Sequence, residues 1–219
     1  MKINSLLQKY QTIFWDFDGV IKKSNKIKLI AFQKLFEDYG MQDEIKKHHI
    51  NNQGISRFKK IPIYLEFCKI EKTEQNINDF CNRYSKLVVD EVINSEWVEG
   101  ALEAINSSPL EKNILITGTP KDEIEVILRK LNIKKCFKRA YGSPMTKTEA
   151  LSNFFVETGA NAKESIFIGD SMEDINAASK FGIDILFIKN EYNKDLNIKY
   201  CRYVSNNFLN EISWLSKNP

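Results

Sequence analysis

Five short, mostly apolar runs lie along the chain, and each ends at or just before a polar residue or a glycine. The first is Thr12-Ile13-Phe14-Trp15, which stops at Asp16. Runs of this length are typical of strands that are buried on both faces, as in a parallel sheet. The predicted strands are 12–15, 113–117, 139–141, 165–169 and 184–188.

Between these runs, apolar residues recur at helical spacing. One pattern extends from Ile124 to Leu131, a second from Ala150 to Phe155, and a third from Ile175 to Phe181. Strands and helices that alternate in this way favour a parallel sheet with helices on both faces. The predicted fold class is therefore α/β, with a doubly wound, Rossmann-like sheet.

Residues 22–97 break the alternation, because they contain helical patterns and no convincing strand. The predicted helices extend over 27–39, 57–69 and 77–88. Gly40 is placed to end the first helix, and Pro62 lies near the start of the second. We call residues 22–97 the helical insertion and predict that they form a small cap domain on the sheet.

The remainder, residues 1–21 and 98–219, is predicted to form the α/β core domain. Its tail after Asn190 is polar at first and then gains bulky apolar residues, from which we predict a closing helix packed on the core. These residues are Phe208, Ile212, Trp214 and Leu215.

Composition and charge narrow the function classes. A net charge of +3 on 219 residues is too small to indicate a nucleic-acid-binding protein. No run approaches the roughly 18 apolar residues that span a bilayer, and the polar N-terminal segment is unlike a signal peptide. We therefore expect a cytoplasmic protein, either a monomer or a weak dimer. The four cysteines form no C-x-x-C pair, so we expect reduced thiols and no zinc or redox site.

Residues that could carry chemistry follow four of the predicted strands. Asp16 and Asp18, with Gly19 beside them, follow the first. The others are Thr117 and Gly118 at the second, Lys147 after the third, and Asp170 with Asp174 at the fourth. Each one alone could be an ordinary turn or surface residue. Because ligands bind at the carboxyl ends of parallel strands, the ordered set indicates one site.

These motifs resemble those of the haloacid dehalogenase superfamily, in particular its helical-cap branch of phosphoglycolate phosphatases and β-phosphoglucomutase-like proteins. The resemblance covers the whole α/β core and includes Asp-x-Asp-Gly-Val at 16–20, Thr117, Lys147 and Gly-Asp-x-x-x-Asp at 169–174. It implies a Mg²⁺-dependent phosphohydrolase acting on a small phosphorylated metabolite, such as a sugar phosphate or phosphoglycolate. Nucleic-acid and membrane partners are not implied.

The resemblance also implies a role for each residue. Asp16 would be the nucleophile that forms an aspartyl-phosphate, and Asp18 would be the general acid and base. Mg²⁺ would be held by Asp16, the backbone carbonyl of Asp18 and Asp170. Asp174 would orient the waters of the metal without contacting it. The phosphoryl oxygens would be held by Thr117, the Gly118 amide and Lys147.

Two alternatives to a hydrolase stay open. The first is a phosphosugar mutase, although such mutases usually carry a histidine where this chain has Lys28, and Glu-Asp where it has Gly169-Asp170. The second is a non-catalytic protein that binds a phosphate ligand, which the intact set of catalytic residue types argues against. Dehalogenation is not expected, because the dehalogenases of the superfamily lack a carboxylate at the position of Asp18.

The helical insertion offers a candidate specificity residue. Gly54-Ile55-Ser56-Arg57 resembles the loop from which an arginine of β-phosphoglucomutase-like proteins reaches a substrate phosphate, so Arg57 either contacts substrate or is a solvated helix residue. Residues 22–60 carry ten lysines and arginines against four acidic residues, which could attract an anion or form a solvated face. His48 and His49 are expected at the surface.

Overall fold

The computed structural model describes residues 2–215, and a mixed sheet of seven strands forms the centre of this part of the chain. The strands are β1 (Thr12–Trp15), β2 (Asn113–Pro120), β3 (Arg139–Ser143), β4 (Ser165–Gly169), β5 (Asp184–Ile188), β6 (Tyr203–Ser205) and β7 (Ser213–Trp214). The five strands predicted from the apolar runs are all present, and β2 and β3 extend slightly further than predicted. The predicted α/β fold class is confirmed.

β1 lies in the middle of the sheet, whose order is β3-β2-β1-β4-β5-β6-β7. Neighbouring strands from β3 to β6 are parallel, and β7 is antiparallel to β6. All four residues of β1 are buried, as expected for a strand that is covered on both faces. Asp16, the next residue, therefore lies at the centre of the carboxyl edge of the sheet.

Helices cover both faces of this sheet. The helices of the described residues are α1 (Ile3–Leu7), α2 (Asn25–Leu35), α3 (Gln42–Asn51), α4 (Arg57–Phe67), α5 (Glu74–Asn94), α6 (Ala101–Ser107), α7 (Lys121–Lys130), α8 (Lys147–Thr158) and α9 (Met172–Phe181). Of these, α1, α6 and α7 cover one face and α8 and α9 the other, whereas α2 to α5 belong to the helical insertion. Side chains alternate between the faces of a strand, so Ile13 and Trp15 pack on the side of α1, α6 and α7. Phe14 points the other way and packs with α8 and α9.

The helical insertion contains α2 to α5, which pack around a cluster of aromatic rings. Phe32 stacks on Tyr84 with ring centroids 4.0 Å apart, and Phe36 stacks on Phe80 at 4.9 Å. The same hydrophobic cluster continues into the sheet, which seats the insertion on the core. Gly40 was predicted to end the first helix, but α2 already ends at Leu35, and Gly40, with φ +69°, ends the short 3₁₀ turn that follows it.

The predicted closing helix is wrong. Residues 203–205 and 213–214 instead form β6 and β7 at one edge of the sheet. Phe208 packs on the core as expected, with its ring stacked 5.6 Å from Trp15. Among residues 2–215, none of the helices combines the length and the apolar character that a bilayer crossing needs. The four cysteines are free thiols.

Candidate active site

Four polar side chains from separate elements meet at the carboxyl edge of the sheet. Asp16 follows β1, and its backbone amide donates to the carbonyl of Ile168 at 2.9 Å. Asp170 follows β4, and Lys147 and Asp174 lie in the first turns of α8 and α9. Oxygen atoms of the three aspartates lie within 4.8 Å of one another, and all three residues are buried. The structure thus brings together residues that are remote along the chain.

Lys147 is the positive charge at the centre of this cluster. Its Nζ lies 2.8 Å from Asp16 Oδ2 and 2.6 Å from Asp174 Oδ1. Burial acts to lower the pKa of Lys147, but the charges of Asp16 and Asp174 outweigh it and raise that pKa. The ammonium is therefore charged whenever the two carboxylates are.

Asp174 is fully occupied by protein donors. Its Oδ2 accepts from the amides of Asp170 and Ser171 at 3.2 and 3.0 Å and from Ser171 Oγ at 2.5 Å. Together with Ser171 it forms the capping box of α9, which fixes its rotamer. Both of its oxygens are thus engaged, Oδ1 by Lys147 and Oδ2 by these donors, and the water-orienting role of Asp174 stays a prediction.

Asp16 and Asp170 carry more negative charge than Lys147 offsets. Burial raises the pKa of Asp16 to about 7, against the opposing charge of Lys147. Burial and the charge of Asp16 likewise raise the pKa of Asp170. Asp16 Oδ1 is buried and has no hydrogen-bond partner among the described residues. Closely spaced carboxylate oxygens, one of them unpartnered, are what a hard divalent cation such as Mg²⁺ takes as ligands, so the residues fit that ion.

Asparagines hold Asp170 in place from two directions. Asn25 of the helical insertion and Asn190, in the loop after β5, donate to Asp170 Oδ2 at 2.7 and 2.8 Å. Asn193 donates to the backbone carbonyl of Asp170 at 2.8 Å. Sequence reasoning missed all three, because an asparagine in a loop resembles any turn residue.

Gly19 permits the close approach of the Asp16–Asp18 turn to Asp170. Its φ is +74°, and a Cβ at this position would lie 2.0 Å from Asp170 Oδ2. The side chain of Asp18 turns toward the helical insertion, where it accepts from Ser24 Oγ at 2.6 Å and forms an ion pair with Lys28. Burial opposes ionisation, but the charge of Lys28 prevails and lowers the pKa of Asp18.

Thr117 and Gly118 lie at the end of β2, beside the helical insertion. Thr117 is buried, and a Cβ on Gly118 would lie 2.6 Å from the carbonyl oxygen of Gly54. Gly118 lines a cavity of about 50 Å³ together with Asp16, Asp18 and Asp170. Thr117 and Lys147 line a neighbouring cavity of about 40 Å³, which also contacts Gly118. The predicted phosphate-binding residues are therefore adjacent, but Thr117 and Lys147 line one cavity and Gly118 lines both.

Arg57 is buried, so its interpretation as a solvated residue is wrong. Its guanidinium forms a two-pronged pair with Glu123 of α7, with one nitrogen–oxygen distance of 2.9 Å, and also donates to Ser85. It lies over the ring of Tyr84 at 4.5 Å. This pair joins the helical insertion to the core. Contact between Arg57 and a substrate stays a prediction, although the residue lines the 50 Å³ cavity.

The surface position predicted for His49 is also wrong. His49 is buried against Phe32, and Lys60 Nζ lies 3.2 Å from its Nδ1. His48 is partly buried and contacts the hydroxyl of Tyr64. Lys60 was not singled out from the sequence. The spacing of the buried residues 57, 60, 61 and 64 along α4 is the signal that distinguishes it from exposed Lys59.

Comparison with known proteins adds two sequence matches. A model of the family described as haloacid dehalogenase-like hydrolase matches residues 13–188. A phosphorylated carbohydrates phosphatase of Thermotoga maritima is 22% identical over 183 residues, which cover 81% of this chain and 84% of the relative.

Solved structures of two other proteins share this fold. A predicted phosphoglycolate phosphatase of Haemophilus somnus has a TM-score of 0.72 at 16% identity, over 91% of this chain and 95% of its own. CbbY of Rhodobacter sphaeroides, in complex with phosphate, has a TM-score of 0.75 at 14% identity over the same shares. A mutant of CbbY has been solved with xylulose 1,5-bisphosphate.

Proposed function

The chain belongs to the haloacid dehalogenase-like hydrolase family and is a phosphatase of that family, and we propose that it hydrolyses a small phosphomonoester through Asp16 with Mg²⁺ as cofactor. The observation that carries this proposal is the buried cluster of Asp16, Lys147, Asp170 and Asp174, in which Asp16 Oδ1 has no partner among residues 2–215. One oxygen of Asp16 would bind the metal and the other would attack phosphorus; in this arrangement Oδ1 is unpartnered and Oδ2 contacts Lys147.

In the first step, an oxygen of Asp16 forms a bond to phosphorus while the bond from phosphorus to the alcohol oxygen breaks. Asp18, which is ionised beside Lys28 in this closed arrangement, would first take up a proton from solvent and then pass it to the departing alcohol. In the second step, Asp18 takes a proton from a water that attacks phosphorus, and the bond to Asp16 breaks to release phosphate. The division into two displacements replaces one difficult hydrolysis by two easier ones.

Charge is the main obstacle to the first step, because a carboxylate approaches a phosphate dianion. Lys147, 2.8 Å from Asp16, is placed to offset this repulsion. Mg²⁺ would be held by Asp16, Asp170 and the backbone carbonyl of Asp18, and would supply further positive charge to the phosphoryl oxygens. Asp174 orients Lys147 and the backbone of Asp170 from behind. Thr117 and the Gly118 amide donate to the phosphoryl group.

The helical insertion acts in this proposal as the cap. It contributes Asn25, Lys28 and Arg57 to the walls of the 50 Å³ cavity, a space for only a few waters. Substrate entry therefore requires the insertion to move away from the core, and its return excludes water during transfer. The Arg57–Glu123 pair holds the closed arrangement.

A phosphorylated carbohydrate or phosphoglycolate is the substrate class that the relatives support. The curated relative is a phosphatase of phosphorylated carbohydrates, and the CbbY mutant binds a sugar bisphosphate. The predicted location in the cytoplasm and the predicted monomer or weak dimer stay predictions.

The test is phosphate release from p-nitrophenyl phosphate by the wild-type protein and by Asp16→Asn. We expect release that requires Mg²⁺, is abolished by a chelator and is lost in Asp16→Asn. The matched control is Asp79→Asn, which removes an exposed carboxylate of α5 and should leave the rate unchanged. Full turnover by Asp16→Asn would refute the assignment of the nucleophile.

Assays with phosphorylated metabolites separate the two alternatives. A phosphosugar mutase would convert one sugar phosphate into its isomer with no net phosphate release and would require a bisphosphate activator. A non-catalytic protein would bind phosphate esters and turn over none of a panel of about a hundred phosphorylated metabolites. Lys28, which pairs with Asp18, stands where such mutases usually have histidine, and this favours hydrolysis.

A further inference from the structure

Lys60 is a buried cation on the wall of the site cavity, and the proposed chemistry does not use it. Its exposed fraction is 2%, and it lines the 50 Å³ cavity with Asp16, Asp18 and Lys28. Its Nζ lies 3.2 Å from His49 Nδ1, and no carboxylate of the described chain forms an ion pair with it.

The other cations of the same cavity have anionic partners. Lys28 pairs with Asp18, and Arg57 pairs with Glu123. Lys60 therefore differs from these two residues, because no carboxylate of the described chain neutralises its charge. Burial, followed by the charge of Lys28, lowers the pKa of Lys60 to about 7. A buried ammonium of this kind destabilises a protein unless a ligand supplies the missing anion.

The surroundings of Lys60 are apolar apart from His49. Phe32 lies with its ring 5.8 Å from Nζ, and Phe32 also packs against the ring of His49. Burial lowers the pKa of His49 well below its ordinary value, so the imidazole is neutral near pH 7. When Lys60 is protonated, its Nζ donates to Nδ1, the ring proton lies on Nε2, and the pair can offer N–H donors of both residues to an anion.

We propose that Lys60 and His49 form a second anion subsite, which binds a carboxylate or phosphate group at the end of the substrate remote from the scissile phosphate. The inference rests on the proposed phosphatase function, because it places this subsite in the same cavity as Asp16. It assigns to Lys60 the task that the loop resemblance suggested for Arg57, whose guanidinium is taken by Glu123 and Ser85. The substrate is then a phosphomonoester with a second negative group.

The test compares ligands that differ only in that second group. One pair is 2-phosphoglycolate and 2-hydroxyethyl phosphate, in which a carboxylate replaces a hydroxymethyl group. The other is glucose 1,6-bisphosphate and glucose 1-phosphate, which tests a second phosphate. Binding is measured by titration calorimetry with Mg²⁺ in the Asp16→Asn background, so that no ligand is consumed.

We expect the protein to bind the doubly anionic member of at least one pair more tightly by roughly tenfold or more. Lys60→Met should abolish this preference, while Lys59→Met, which removes the exposed neighbouring charge, should keep it. Unchanged affinity of Lys60→Met for the singly charged ligand shows that the variant is folded. Lys60→Gln repeats the test with a neutral side chain that still donates hydrogen bonds, and it should also lose the preference.

The subsite is refuted if neither pair shows a preference, or if Lys60→Met retains it. Failure of the phosphatase proposal is a separate result, because it would be seen as absent turnover by the wild-type protein. The binding comparison does not depend on turnover and gives its answer in either case.

Discussion

The buried, unpaired ammonium of Lys60 predicts that the free energy of unfolding depends on pH. Lys60→Met should remove this dependence. Lys60→Met replaces the ammonium by an apolar side chain of similar length, so it removes the charge without opening a large cavity. The wild-type protein carries the buried charge into the folded state wherever Lys60 is protonated. We therefore expect Lys60→Met to be the more stable protein in acid and the difference to shrink as the pH rises.

The sign and size follow from the pKa values in the two states. The pKa of Lys60 falls from its ordinary 10.5 to about 7 on folding, through burial first and then the charge of Lys28. Below pH 7 both states hold the proton, and the cost of the buried charge is at its full value. Between pH 7 and 10.5 the folded state releases the proton and the unfolded state keeps it, so wild-type stability rises by about 1.4 kcal/mol per pH unit. Between pH 6 and pH 9 the wild type should gain about 3 kcal/mol relative to Lys60→Met.

The assay is urea unfolding of both proteins at several pH values from 6 to 9, with a chelator present so that metal binding does not change with pH. The charged neighbours Asp18 and Lys28 are common to both proteins and largely cancel in the difference. The imidazole of His49 does not cancel in acid, because burial and then the charge of Lys60 lower its pKa, so the rise from pH 7 to pH 9 is the part assigned to Lys60. Lys59→Met is the control, and its difference from wild type should be the same at every pH. A difference between wild type and Lys60→Met that is constant from pH 6 to pH 9 would show that the ammonium of Lys60 is solvated or paired.

Further substitutions test two features, the contact between insertion and core and the turn beside the proposed metal ligands. Arg57→Met or Glu123→Leu alone should lower the free energy of unfolding by about 3 kcal/mol, because each leaves a buried charge unpaired. The double variant should recover most of this loss. Additive losses of the two substitutions in urea unfolding would contradict the pairing. Gly19→Ala should reduce Mg²⁺-dependent phosphate release by roughly 100-fold, because its Cβ would displace Asp170. Gly40→Ala has the same backbone strain of about 1–2 kcal/mol but open space around it, so it should lose stability and keep its activity.

The sheet and the acidic cluster at its carboxyl edge could be predicted from the sequence because both depend on local signals. A strand covered on both faces must be apolar throughout, so β1 and β4 are visible as short apolar runs. The residue after each such strand lies at the carboxyl edge of the sheet, whatever the conformation of the loop that follows. Asp16 and Asp170 could therefore be placed together.

The errors arose where tertiary packing outweighs local pattern. Phe208, Ile212 and Leu215 recur at helical spacing, but the segment before them pairs with β5 and continues the sheet as β6. α3 was not predicted, since Ile45 and His49 are the buried residues of this mainly polar helix. The burial of Lys60 depends in the same way on the fold of the whole insertion, and its sequence alone resembles that of exposed Lys59.

The central place of β1 in the sheet has a consequence for synthesis on the ribosome. β1 ends at Trp15, but one of its two neighbours, β4, begins only at Ser165 and is synthesised much later. At about 5–20 residues per second, that edge of β1 stays unpaired for roughly ten seconds or more while the rest emerges. The nascent chain therefore carries an open apolar strand edge, which exposes it to misassociation or chaperone capture, until the second half of the protein arrives.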